Sequence, residues 1–204
     1  MSHPITDAAA LAALYGEPAG PSIAKEVPRL TPGYRQLIES SPFFVLATAG
    51  PDGLDVSPRG DGPGFVRVAD DRTLLVPDRR GNNRIDSLRN ILADPRVGLL
   101  FLVPGLNETL RVNGRAVIDA DPALCDGFAV DGKAPKTVLV VTIESVFFQC
   151  ARALLRSRLW DPAAQLPRDR FPSVGTLLAE ASAGREGGED YDRSLAERIP
   201  KTLY

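Results

Sequence analysis

From Phe43 to Val146 the chain is a series of short apolar runs separated by a few turn residues, and that spacing constrains its architecture more than any other feature. Phe43 to Thr48, the turn Gly50-Pro51-Asp52-Gly53 and Leu54 to Ser57 read as a hairpin. Phe65 to Val68 and Thr73 to Val76 repeat the arrangement around Asp70-Asp71, and Val97 to Val103, Thr109 to Asp119 and Thr137 to Val146 complete the series. Two helices interrupt it. Arg84 to Leu92 places Ile85, Leu88, Ile91 and Leu92 on one face and stops at Asp94-Pro95, and Pro122 to Phe128 forms the other. A parallel sheet needs a crossover of about a dozen residues after each strand, which this spacing does not provide. The expected fold is mainly β, an antiparallel β-barrel with flanking helices. Neither a GxGxxG nor a GxxxxGK[ST] loop is present to argue for a nucleotide-binding parallel sheet.

The flanks differ in character. Near the start, a helix from about Asp7 to Tyr15 is expected, capped by Thr6 and stopped by Gly16. A Pro-rich connector, Glu17 to Leu30, leads to a second helix that Thr31 and Pro32 open and Pro42 ends, with Tyr34, Leu37 and Ile38 on one face. Beyond Ala151 the chain turns helical and polar, with Ser173 capping Val174 to Ala181 and the loop Gly184 to Glu189 leading to a last amphipathic segment.

Composition removes several classes of function. The 26 acidic and 24 basic side chains give a formal charge of −2, so no overall positive field attracts nucleic acid or an anionic membrane. The single histidine, His3, leaves no Ser-His-Asp triad, Cys-His pair or His-rich metal site in the interior. Cys125 and Cys150 lack CxxC spacing and read as small buried residues in a reducing compartment. No apolar run nears the roughly 18 residues a membrane span needs, and the first residues lack a basic signal region, so a cytoplasmic protein is expected.

With side-chain nucleophiles and bases so scarce, a cofactor would carry any difficult step. The candidate place for it is Pro77-Asp78-Arg79-Arg80-Gly81-Asn82-Asn83-Arg84, which enters the helix expected near Arg84. A helix start offers unpaired backbone N–H groups and the positive end of the dipole. Flanking guanidiniums and the amides of Asn82 and Asn83 would make it a phosphate-sized anion site. The same residues also read as a solvated basic turn with an Asn cap. Arg59, in Ser57-Pro58-Arg59-Gly60-Asp61, is on its own only a loop residue.

Five segments taken together resemble a family. They are Ser57-Pro58-Arg59; Leu74-Leu75-Val76-Pro77-Asp78; Gly81-Asn82-Asn83-Arg84 with Asp86-Ser87-Leu88; Pro95-Arg96-Val97-Gly98-Leu99-Leu100-Phe101; and Thr109-Leu110-Arg111-Val112-Asn113-Gly114-Arg115-Ala116. In this order, over roughly Ser41 to Trp160, they resemble the pyridoxamine-phosphate-oxidase-like split-barrel flavoproteins. The subgroup of uncharacterised FMN-dependent members is similar through Arg156-Ser157-Arg158-Leu159-Trp160.

The resemblance implies a six-stranded antiparallel split barrel of Greek-key type, in a homodimer with FMN in two interface clefts. Arg59, Asn82, Asn83 and Arg84 then become phosphate-side residues, Ser57 a further cofactor-binding residue, and Val76, Pro77 and Asp78 a strand edge beside the isoalloxazine. Arg156, Ser157 and Trp160 would complete the cleft, with Trp160 equally suited to anchoring a helix. Relatives often carry a histidine where this chain has Gln149, so that residue's role does not transfer. The implied division is a helical arm 1–40, an FMN-binding barrel 41–160, and a helical extension 161–204 packed on the same domain.

The function expected on this basis is hydride transfer between FMN and a small organic substrate, with a reduced nicotinamide as candidate partner. A non-catalytic flavin carrier, sensor or storage protein, or a deazaflavin-dependent reductase, is the alternative. The substrate is not legible in the residues.

Overall fold

The computed structural model describes residues 3–204. Three helices come first: α1 (Ala8–Tyr15), α2 (Gly20–Ala24) and α3 (Pro32–Ser40). The strands are β1 (Phe43–Gly50), β2 (Gly53–Gly60), β3 (Arg67–Val68), β4 (Thr73–Pro77), β5 (Arg96–Leu102), β6 (Thr109–Asp119) and β7 (Val138–Gln149). Helix α4 (Asp86–Ala93) separates β4 from β5, and α5 (Pro122–Asp126) separates β6 from β7. Helices α6 (Arg152–Ser157), α7 (Val174–Ala181) and α8 (Gly188–Arg198) follow.

All the pairings are antiparallel, in the order β2-β1-β5-β6-β7-β4-β3. The mainly β architecture expected from the sequence is present among the described residues, with seven strands, matching the seven runs read from the residues rather than the six that the resemblance implies. The added strand, β3, is two residues long and meets only Leu74 and Leu75 of β4. Phe65 and Val66, just before it, are buried without joining the ladder, Phe65 being stacked 5.8 Å from Phe44. Apolar content therefore marked this run correctly as interior, while packing, not pairing, accounts for half of it.

The sheet is rolled. Five strand spacings separate β2 from β4 in the ladder, roughly 24 Å if the sheet were flat. Yet Arg59 of β2 lies 3.0 Å from Asp78, the residue after β4, and Asp61, just after β2, lies 2.6 Å from Arg79. These two ion pairs stitch the open seam of a split barrel. Inside are Phe44, Leu46, Leu74, Leu99, Phe101, Leu110, Val112, Val141 and Ile143, each essentially without solvent exposure. Ile38 of α3 plugs the same core, as expected from its helical face.

Strand β6 matches its expected span and carries a register shift between Asn113 and Gly114 opposite β7. A Cβ at Gly114 would stand 2.1 Å from the Thr142 carbonyl oxygen, so only glycine fits this close approach. Gly114→Ala is expected to destabilise the fold by about 1–3 kcal/mol through overpacking, read as a lower urea midpoint with an unchanged slope.

The flanks required corrections. Asp7, not Thr6, caps α1, accepting from the Ala10 N–H at 2.8 Å. The connector holds α2, and its later part is not outlying: Val27 bridges to Val146 and Leu30 is buried. Thr31 and Ser173 cap α3 and α7 as expected. Cys125 is buried, but Cys150 is exposed because it lies one residue past the last paired position of β7. No helix among the described residues is long and apolar enough to cross a membrane.

Candidate functional site

A cavity of about 850 Å³ opens along the stitched seam. Strand β2 supplies Asp55 to Arg59, the segment after β4 supplies Asp78 to Arg84, and Ile85 to Leu88 belong to the start of α4. The loop before β7 adds Lys133 to Lys136, and Tyr204 closes the remaining side. Because β2 and β4 are far apart in the ladder, only the rolled sheet brings these segments together.

Of the residues singled out from the sequence, Ser57, Arg59, Asp78, Asn82, Asn83 and Arg84 all line this cavity. Val76 and Pro77 do not: they are buried in β4, paired with Leu139 and Val138 of β7. Arg156 and Ser157 are exposed on α6, outside the cavity walls of this chain. Trp160 is half-buried, its Nε1 donating to the Leu106 carbonyl at 2.7 Å, and is likewise absent from these walls.

Helix α4 begins later than expected, at Asp86, with Ile85 rather than an asparagine at its N-cap position and no side-chain cap. Asn82 instead accepts from the Arg84 N–H at 3.1 Å and closes the preceding turn. Asn83 at φ 62° and Ile85 at φ 55° both occupy the left-handed region. For asparagine this is tolerable, whereas a β-branched residue there bears strain of about 1–3 kcal/mol, of a kind that concentrates at ligand sites. The strain turns the backbone sharply between the basic turn and the helix. Ser87 then ties α4 to β2, its Oγ donating to Asp55 Oδ2 at 2.6 Å.

The charges are distributed differently from expectation. Arg59 is paired with Asp78, and Arg84 with Asp86 at 2.7 Å while remaining largely exposed. Burial pushes the Asp78 carboxyl above its ordinary range, and Arg59 counteracts only part of that effect. The Arg59 Nε–H is buried with no partner, leaving a cationic donor uncommitted at the cavity wall. Arg79 donates through Nε to Asp61 at 2.6 Å and through Nη1 to the Phe128 carbonyl at 2.6 Å, so it is a structural arginine.

Asp61 also accepts from the Tyr204 hydroxyl at 2.6 Å. Burial raises its pKa, but the bonds from Tyr204, the Gly62 N–H and Arg79 outweigh burial and hold it below the usual carboxylate range. Among the described residues, the lining cations Arg80 and Lys136 have no carboxylate within ion-pair distance, while Lys133 Nζ donates to the main-chain oxygen of Tyr204 at 3.2 Å. The two lysines, like Tyr204, are residues sequence reasoning missed. They flank Ala134-Pro135 in a loop far along the chain, and only their two-cation spacing around a proline signalled them.

The site thus combines unpaired cations, an orphaned guanidinium donor and asparagine amides around a space of ligand size. No group of residues suited to a metal occurs among the described residues. This chemistry suits a small anionic molecule rather than covalent catalysis by side chains.

Several solved structures are similar to part of the chain. HupZ from Group A Streptococcus is similar over 58% of this chain and 93% of its own, at 22% identity and a TM-score of 0.47. An F420 reductase is similar over 57% and 98%, at 25% identity and 0.43. An FMN-binding protein from Syntrophomonas wolfei subsp. wolfei is similar over 57% and 88%, at 15% identity and 0.42. No curated protein matches the chain. Residues 30–150, more than half the chain and the whole of the barrel with its seam, match the family described as pyridoxamine 5'-phosphate oxidase, and the protein belongs to that family.

Proposed function

We propose that the seam cavity binds FMN and that the protein is an FMN-dependent oxidoreductase acting on a small organic substrate, with a reduced nicotinamide as candidate electron donor. The observation that carries this reading is the cluster of cations outside any side-chain ion pair, Arg80, Lys133 and Lys136, beside the orphaned Arg59 Nε–H in a cavity of about 850 Å³. Such donors suit a phosphate monoester, since charge-assisted hydrogen bonds are the strongest available in a solvent-accessible site. When bound, the flavin supplies the redox chemistry that these side chains lack.

The protein's part is to bind, orient and exclude water. Arg80, Lys133 and Lys136 hold the phosphate, with Asn82 and Asn83 as neutral donors. Asp78 fixes the Arg59 guanidinium, so that its free Nε–H meets a ligand acceptor without a rotamer search. Val56 lines the cavity yet is two-thirds exposed on the edge strand β2, and Leu54 beside it is exposed further. An apolar sheet edge at a cofactor cleft calls for a cover. A second copy of the chain is the proposed cover, giving a homodimer with FMN in the interface, to which Arg156, Ser157 and Trp160 of the neighbouring copy would contribute.

The test is an absorbance spectrum and mass determination of the ligand released from purified protein, followed by turnover with reduced nicotinamide and a panel of acceptors. FMN at one per chain with sustained turnover is the expected result. A deazaflavin would reassign the cofactor, and FMN that is never reduced or reoxidised at a useful rate would make the protein a carrier, sensor or storage protein. Sedimentation at about twice the chain mass is expected for the FMN-loaded form.

A further inference from the structure

Tyr204 is the one aromatic side chain among the residues lining the seam cavity, and it also lines a second cavity of about 410 Å³. Arg79, Arg80 and Tyr204 are the residues common to both, so they form the partition between them. The second cavity is otherwise built from Gly60 to Gly62 and from Ile199, Thr202 and Leu203.

The partition is anchored on two sides. The Tyr204 hydroxyl donates to Asp61 Oδ1 at 2.6 Å, while Asp61 Oδ2 accepts from Arg79 at 2.6 Å. Lys133 Nζ donates to the Tyr204 carbonyl at 3.2 Å, and the Arg79 guanidinium lies 5.6 Å from the ring centroid. Two of the three cations outside side-chain ion pairs therefore adjoin this tyrosine: Arg80 through the shared wall and Lys133 through its hydrogen bond to the Tyr204 main chain. An anion held by them is placed against the Tyr204 ring.

We infer that Tyr204 sets the length of nucleotide the site accepts, admitting a flavin mononucleotide and excluding a dinucleotide such as FAD. This rests on the flavin reading above. The second phosphate and adenosine of FAD extend from the first phosphate, and the space that would receive them is the second cavity, behind Tyr204. Steric exclusion of this kind needs a wall that does not swing away. The bond to Asp61 fixes the ring's outer end and the bond from Lys133 fixes its backbone, and together they supply that rigidity.

The experiment is titration of the apo-protein with FMN and with FAD, for the wild type, Tyr204→Phe and Tyr204→Ala, with folding of each checked by circular dichroism. The wild type should prefer FMN over FAD by at least about tenfold. Tyr204→Ala should reduce that preference about tenfold or more by admitting FAD, while Tyr204→Phe, which keeps the ring but loses the bond to Asp61 that pins it, should give a smaller reduction lying between the wild type and Tyr204→Ala. Should Tyr204→Ala not fold, Tyr204→Leu shortens the wall while keeping apolar cover, and it must move the ratio in the same direction. A wild type that binds FAD as tightly as FMN, or folded Ala and Leu variants with an unchanged ratio, would overturn the inference while leaving the flavin reading intact. A wild type that binds neither flavin would overturn the flavin reading itself and the inference with it.

Discussion

Asp61→Ala will destabilise the protein by about 3 kcal/mol, among the largest losses available from a single polar side chain in this fold. The Asp61 side chain is only 7% exposed and its Arg79 partner 16%, at 2.6 Å. Deleting the carboxylate strands a guanidinium in a place with little water, and removing one partner of such a pair costs far more than the net worth of the pair. The pair also joins ends of the sheet that no backbone hydrogen bond connects, so its loss loosens the seam. For a chain of this size, about 3 kcal/mol corresponds to a fall of roughly 6–12 °C in Tm.

The loss should also depend on pH. Because the folded-state pKa of Asp61 is lowered, its stabilisation is fully present above the unfolded carboxylate range, near pH 4. It fades as pH falls through the lower folded-state value. Thermal or urea unfolding of wild type and Asp61→Ala from pH 7 downward should show the two curves converging in acid. A gap that persists unchanged into strong acid would mean that the pair is not its source.

Lys133→Ala combined with Lys136→Ala should lower FMN affinity about a hundredfold and leave riboflavin affinity unchanged. Both lysines line the cavity outside any side-chain ion pair, and Lys133 is held only by the main-chain oxygen of Tyr204 at 3.2 Å, so meeting a phosphate gives up at most one contact. A hydrogen bond to a charged group contributes roughly 1.5–3 kcal/mol, about tenfold or more each. Arg84→Ala should have a much smaller effect, within about threefold, since Arg84 is largely exposed and already committed to Asp86. The sequence instead places Arg84 and Arg59 alike on the phosphate side and gives the two lysines no role. Fluorescence titration of the apo-protein with FMN and riboflavin measures all four quantities. Equal losses for the two flavins would place the lysines away from the phosphate.

Much of this protein was legible without coordinates. The turn Gly50-Pro51-Asp52-Gly53 fixed the first hairpin, Thr31 and Ser173 marked helix starts through their own hydroxyl bonds, and the run Thr109 to Asp119 matched β6 over its full span. Each of these signals is local: a cap, a turn or a two-residue period is enforced by atoms a few positions away. The cavity residues after β4 were legible for a similar reason, because Arg79 to Arg84 is a continuous basic, amide-rich stretch between a strand and a helix.

What sequence could not supply was the pairing of charges. Arg59 meets Asp78 and Arg79 meets Asp61 across a seam that exists only once the sheet has rolled, and those contacts decide which cations remain open to a ligand. Lys133, Lys136 and Tyr204 enter the site from far along the chain for the same reason. Local patterning therefore determined the strands, the caps and the basic turn. The curvature of the sheet, set by the twist of every strand acting together, decided which of those charges are spent on the fold and which are left for a ligand.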